Sequence, residues 1–170
     1  MFSTLISLGI IVLQILTIVF VILWFKKHKF LNKIYSYSHL VLPIIFIGSA
    51  LGSLIFEFVY GFEPCLLCWY QRISIFGIAI LSLTGDIRKN SFLQNQVILF
   101  SIIGIAVALV HNYIDIFPSG LDICGAGPSC LKRYVYEFGY ITIPMMSLTV
   151  LVSGLVISLF AKNQLKKSTF

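Results

Sequence analysis

The sequence predicts an all-α membrane protein, a four-helix transmembrane bundle with an additional N-terminal transmembrane helix. Three observations lead there. First, 59% of the 170 residues are hydrophobic and only 11% are charged, with a mean hydropathy of +1.01. Charged residues make up about a quarter of a typical soluble domain, so most of this surface must face lipid. Second, the apolar residues fall in five long runs. Each is near the ~20 residues that a helix needs to cross about 30 Å of hydrocarbon, roughly twice the length of a barrel strand. Third, backbone polar groups cannot go unpaired in lipid, and a helix satisfies them within one segment.

The first run, Phe2 to Phe25, carries no charge. A cleaved signal peptide is the competing reading. It lacks support, because no basic region precedes the run, the run is too long, and Lys26, Lys27 and Lys29 follow as an anchor. A retained span is therefore expected. The second run extends from His39 to Tyr60, with Pro43 near its start, where a missing amide costs least. The third covers Leu66 to Thr84, the fourth Phe92 to Asn112, and the fifth Tyr140 to Phe160 with Pro144 near its start. Gly48, Gly52, Gly77 and Gly104 are placed to allow close helix packing. Between the last two runs, Leu131, Tyr134, Val135 and Phe138 recur at helical spacing. Lys132, Arg133, Tyr136 and Glu137 occupy the other side, which predicts a short amphipathic helix on the membrane surface. The organisation expected is an N-terminal span with a basic turn over 1–37, a four-helix core over 38–160 and a basic tail over 161–170.

Charge predicts the orientation. Lys26, Lys27, Lys29, Lys33, Arg88, Lys89, Lys162, Lys166 and Lys167 fall on one side of the five runs, and Arg72, Lys132 and Arg133 on the other. The positive-inside rule then places the N-terminus outside and the C-terminus in the cytoplasm. The same rule accounts for the net charge of +6. No base-reading motif accompanies that charge, so no nucleic-acid partner is expected.

All four cysteines fall on the outer side, where an oxidising compartment favours disulfide chemistry. The first pair lies in PCLLCWYQR, residues 64 to 72. Pro64 suits the first positions of a helix, which puts Cys65 and Cys68 on one face of the first turn. Free amides and the positive helix end stabilise a thiolate there, so at least one sulfur should be reactive. Arg72 follows on the same face, and an arginine inside a membrane helix needs a reason. It can snorkel to headgroups, or it can stabilise a thiolate or a polar oxygen of a flat apolar ligand. The second pair, Cys124 and Cys130, spans CGAGPSC, whose glycines and proline permit a closed loop. A zinc site is disfavoured because five residues separate this pair, so no metal is expected. Two structural disulfides are the bland reading. A disulfide across CxxC closes a very small loop and stabilises little, so thiol exchange explains two pairs on one side better. His111, near the outer end of the fourth run, is either a proton carrier or an interfacial histidine satisfied by a neighbour.

PCLLCWYQR, the helix from Ile73 to Thr84, HNY at 111–113, CGAGPSC and TIP at 142–144 together resemble the DsbB family of quinone-dependent disulfide-generating membrane proteins. The short second-pair spacing is more similar to its BdbC-like branch, and the resemblance covers about residues 38–160. It implies a relay in a bacterial plasma membrane. A soluble or membrane-tethered thioredoxin-fold thiol oxidase outside the cell is reoxidised by the loop pair. Electrons then pass to the helix-end pair and on to the membrane quinone pool, menaquinone or ubiquinone. By position, the resemblance implies that Cys65 is attacked by the loop pair and that Cys68 meets the quinone. Arg72 resembles a quinone-site arginine, and His111 a histidine near the quinone. Cys124 resembles the cysteine that forms the mixed disulfide with the oxidase, and Cys130 the one that resolves it. Gln71 departs from the family, many of whose members carry glutamate there, and the first span lies outside the usual four-helix pattern. Two other readings stay open. One is a quinone-site reductase similar to vitamin K epoxide reductase, whose loop cysteines come earlier in the chain than its helix-end pair. The other is a membrane scaffold with structural disulfides.

Overall fold

A computed structural model describes residues 2–26, 30–117, 130 and 132–168. The five runs form five helices: α1 (Phe2–Phe25), α2 (Phe30–Phe58), α3 (Leu66–Thr84), α4 (Ser91–Ile116) and α5 (Ile143–Ser168). All five are long and apolar enough to cross a membrane, which makes the chain a multi-pass helical membrane protein. Helices α2 to α5 close a four-helix bundle in which α4 contacts both α3 and α5, and α2 contacts the same two. Helix α1 stands outside this ring, mainly against α5. Leu42 and Phe46 of α2, Ile78 of α3, Val97 of α4 and Leu151 of α5 are fully buried and form the centre.

Two glycines set how closely the helices approach. A Cβ on Gly154 of α5 would lie 2.4 Å from the ring of Phe46, and one on Gly104 of α4 would lie 2.9 Å from both Leu151 and Ser74. Only a hydrogen fits at either position. Gly154→Ala is therefore expected to lower stability by about 1–3 kcal/mol, the usual cost of overpacking a core. Thermal unfolding in detergent checks this, and an unchanged midpoint would refute it. A Cβ on Gly77 would lie 3.1 Å from the ring of Phe100. Gly48 and Gly52 depart from expectation, because a Cβ on either would meet no atom within 4 Å. The α1–α2 side is too open for the spacing of these glycines to act as a packing motif.

Helix α2 starts nine residues earlier than its apolar run, at Phe30, so Pro43 lies inside the helix and not at its start. Proline tolerance at a helix start does not apply to it, and the His39 carbonyl loses its amide partner. The extension is held across the bundle end by Tyr35, whose hydroxyl donates to the Arg88 carbonyl at 3.1 Å. Arg88 Nη1 in turn donates to the Ser36 carbonyl at 2.7 Å. Asn90 caps α4 by accepting from the amides of Phe92 and Leu93, which starts that helix next to the short turn after α3.

The amphipathic helix expected around Tyr134 to Phe138 is absent. Leu131 lies outside the described residues. From 132 the chain is irregular, and Glu137 and Ile141 close an isolated antiparallel bridge. The turn between them puts Phe138 at φ 52° and Gly139 at φ 78°, which no helix can contain. The apolar spacing is used differently. Val135 is buried, and Tyr134 stacks on Phe62 at 4.7 Å, with Phe62 stacked on Phe56 of α2. Helix α5 begins after this turn at Ile143, with Pro144 in its first turn as expected.

Candidate thiol exchange site

The helix-end pair sits where α3 begins. Cys65, not Pro64, is the N-cap, in extended conformation, and its sulfur accepts from the Cys68 amide at 3.4 Å. The helix starts at Leu66, where the third run was expected to begin, and Pro64 stands just before its cap. The two sulfurs are 2.9 Å apart, and both are free thiols. Cys65 is 4% exposed, while Cys68 is half-buried.

His111 of α4 faces this pair. Its Nε2 lies 3.8 Å from Cys65 Sγ, and on the other side of the ring Gln71 Nε2 donates to Nδ1 at 2.9 Å. An amide nitrogen only donates, so Nδ1 accepts and the ring proton sits on Nε2, pointing at the sulfur. Gln71 and His111 are both buried, which fixes the pair in place. The sequence reading kept Gln71 out of any acidic role and missed this positioning contact. Its spacing three residues after Cys68, on the cysteine face of α3, was the available signal.

Cys130 completes the cluster. It is disulfide-bonded and buried, and Cys65 Sγ, Cys130 Sγ and a ring nitrogen of His111 all lie within 4.8 Å of one another. Such a trio can also hold a metal. That use would need Cys130 as a thiolate, whereas its sulfur is committed to a disulfide. Cys124 lies outside the described residues. The segment carrying Cys130 is clasped to α4 by Arg133, whose Nε donates to Asp115 Oδ1 at 2.6 Å and whose Nη2 donates to the Asp115 carbonyl. The Asp115 carboxylate raises the Arg133 pKa above its ordinary value, so the clasp stays charged.

Arg72 is buried one turn further along α3. Its Nη1 pairs with Glu57 of α2, Nη2 donates to the Ser53 carbonyl at 3.0 Å, and the guanidinium lies over Trp69 at 5.5 Å. Glu57 is thus the counter-ion that makes a buried arginine tolerable. An acid and a base at the same ends of adjacent spans were visible in the sequence, but their pairing was not drawn from it.

Beside these groups opens a cavity of about 460 Å³. Cys65, Cys68, Arg72 and His111 line its polar end, beside the start of α3, and Ile10, Leu13, Ile45 and Val150 line its apolar part. Its size lies within the roughly 300–1,000 Å³ typical of small-molecule sites. The donor chemistry fits a flat quinone head group, since Arg72 keeps N–H donors beyond the two contacts named and the walls are apolar.

Cys65 lies one residue outside the α3 span. The hydrogen bond from Cys68 lowers its pKa to about 4, against burial, which raises it, and with help from His111. A lowered pKa means the thiolate persists as pH falls and is lost only near that value. Alkylation of Cys65 in the reduced protein by iodoacetamide should therefore hold its rate from neutral pH to near pH 5. A profile with its midpoint near the ordinary thiol value of about 8.5 would contradict it.

Five lipid-facing helices with a free thiol pair, a buried histidine and a disulfide at one bundle end define the class: a multi-pass membrane thiol oxidoreductase. The profile of the family described as "Disulfide bond formation protein DsbB" matches residues 36–161, and the chain belongs to that family. It is 34% identical over 132 residues to the SPbeta prophage-derived disulfide bond formation protein B of Bacillus subtilis, covering 76% of this chain and 88% of that relative. It is 35% identical over 121 residues to the probable disulfide formation protein C 2 of Bacillus anthracis, covering 71% and 85%. Over 133 residues it is 29% identical to the disulfide bond formation protein C of Bacillus subtilis, covering 77% and 94%. No solved structure matches the chain.

Proposed function

We propose that this protein reoxidises a thioredoxin-fold thiol oxidase outside the membrane and passes the two electrons to a membrane quinone. The observation that supports this reading most directly is the mutual approach of Cys65, His111 and Cys130 within 4.8 Å at the mouth of the apolar cavity.

The reduced oxidase attacks Cys124 of the loop disulfide, which forms a mixed disulfide and releases Cys130 as a thiolate. Cys130 then attacks Cys65 of the oxidised helix-end pair, forming a Cys65–Cys130 bond and releasing Cys68. The second thiol of the oxidase displaces Cys124 and leaves with its own disulfide. Cys124 next attacks Cys130, restoring the loop disulfide and expelling Cys65. A low leaving-group pKa speeds that last exchange, and the Cys68 and His111 contacts give Cys65 one. Arg72 presents N–H donors at the polar end of the cavity beside Cys68, with Glu57 neutralising its charge and fixing its orientation. When bound, a membrane quinone accepts two electrons and two protons, so the sum is partner dithiol plus quinone giving partner disulfide plus quinol.

Under this reading the exchange core is residues 38–160. The N-terminus and both cysteine pairs face outside, and the C-terminus is cytoplasmic. Arg88→Cys should resist an impermeant external thiol reagent, and Tyr136→Cys should react with it. Reaction at position 88 would exclude the relay as drawn. The function itself is tested with purified protein, a reduced thioredoxin-fold oxidase and a soluble quinone. One quinone should be consumed per disulfide formed. No consumption would favour structural disulfides, and consumption driven only by a small dithiol would favour the reductase reading.

A further inference from the structure

Helix α1 lies outside the family-matched region 36–161, yet it forms one wall of the cavity through Gly9, Ile10, Leu13 and Leu16. Its two flanks differ. Toward α5 and the turn that precedes it, α1 is bolted by a ladder of polar contacts at successive depths. Ser3 donates to Glu137 at 3.0 Å, Gln14 Nε2 to Thr149 at 2.9 Å, and Thr17 and Ser153 share a hydrogen bond of 2.8 Å. Tyr140 adds a bond to Gln14 Oε1 at 2.8 Å, and Phe20 packs edge-on to Phe160. Hydrogen bonds between membrane helices each add about 0.6 kcal/mol or more, so this flank is closed.

Toward α2 no such ladder exists among the described residues, and the facing positions are glycines. A Cβ on Gly9, Gly48 or Gly52 would meet nothing within 4 Å, and all three line the cavity. The open seam is continuous with the polar end, because the Ser53 carbonyl next to Gly52 holds Arg72. From Ile6 to Leu16 the cavity follows α1 for about 15 Å, half the hydrocarbon thickness.

We propose that the α1–α2 groove receives the isoprenoid tail of the quinone, and that α1 is a tail-binding wall added to the four-helix core. The inference rests on the quinone reading of the cavity. Its occupant is a long apolar chain joined to a polar head. The groove is apolar, side-chain-free at three glycines, and ends at the arginine and thiols that suit the head.

The test uses the full chain, Gly48→Leu and Gly52→Leu, and two acceptors that share a ring, one with a long isoprenoid tail and one with none. Because each Cβ enters open space, thermal stability should not fall. The KM for the tailed quinone should rise relative to the tail-less one by roughly tenfold, the scale of losing burial for a few methylenes. A photoreactive isoprenoid quinone should label α1 near Val12 to Leu16 in the unaltered protein. Excess tailed quinone should compete that labelling away, and both leucine variants should weaken it. Equal effects on both quinones, labelling confined to other helices, or competition by phospholipid alone would overturn the proposal, the last assigning the groove to ordinary lipid. Failure of the unaltered protein to reduce either quinone would remove the proposed function. Photolabelling would still decide the groove.

Discussion

Cys68→Ser is expected to stop quinone reduction while leaving one round of exchange with the oxidase. Steady-state turnover should fall more than about a thousandfold, the scale seen when a reaction loses its nucleophile. The reason is geometric. Cys68 is the sulfur 2.9 Å from Cys65 that closes the helix-end disulfide, and it lines the cavity beside Arg72. Without it no helix-end disulfide forms, so electrons that reach Cys130 have no onward path. A stopped-flow trace should show one equivalent of oxidase disulfide per protein and then nothing. Mass mapping under non-reducing conditions should also find some Cys65–Cys130 linkage, since those sulfurs lie within 4.8 Å and Cys65 is now a lone thiolate. Continued turnover in Cys68→Ser would remove the helix-end pair from the relay and favour structural disulfides.

The bundle was legible because lipid writes its demand directly into composition. Runs of apolar residues near the spanning length leave the backbone few alternatives, and each of the five runs forms a helix, with only residues 59–60 and 140–142 falling outside at the ends of the second and fifth. The stretch from Lys132 to Ile141 was misread for a physical reason. Tyr134, Val135 and Phe138 have helical spacing, but stacking on Phe62 and the positive φ at Phe138 and Gly139 decide the local structure. Periodicity records which residues are apolar and says nothing of what they pack against. The glycines divide by the same logic. Gly104 meets Leu151 and Ser74, while Gly48 faces a helix that lies against α5 instead.

At the site, residue types announced the cysteines and Arg72, since each is rare or costly where it stands. Their partners were not announced. Glu57, Gln71 and Asp115 act through contacts that span 15, 40 and 18 positions in the chain. A single sequence carries no signal for such pairings beyond the presence of a polar group at a matching depth. His111 shows what the fold adds. In the sequence it was a histidine near a helix end, and in the structure it stands between Gln71 and Cys65.

Cys130→Ala is expected to trap the oxidase on Cys124 as a stable mixed disulfide under turnover conditions. This variant begins with Cys124 free, so capture starts from the oxidised partner, whose disulfide the Cys124 thiolate opens. Two thiols can clear the resulting bond, the oxidase's own second thiol and Cys130, and loss of Cys130 closes the route that re-forms the loop disulfide, so the mixed disulfide accumulates. Cys130 is also the poor candidate for direct capture. It is 6% exposed, sits against Cys65 and His111, and its segment is fastened to α4 through Arg133 and Asp115. A bulky thioredoxin fold reaches such a sulfur with difficulty. Cys124→Ala should therefore yield several-fold less mixed disulfide at equal protein levels, because burial restricts attack more than thiol chemistry favours it. Non-reducing electrophoresis of both variants, followed by mapping of the linked peptides, measures the ratio. Capture mainly at Cys130 would exchange the roles of the loop cysteines and require the Arg133–Asp115 clasp to open. It would leave the approach of the loop pair to Cys65 in place, because that step depends on a sulfur already within 4.8 Å.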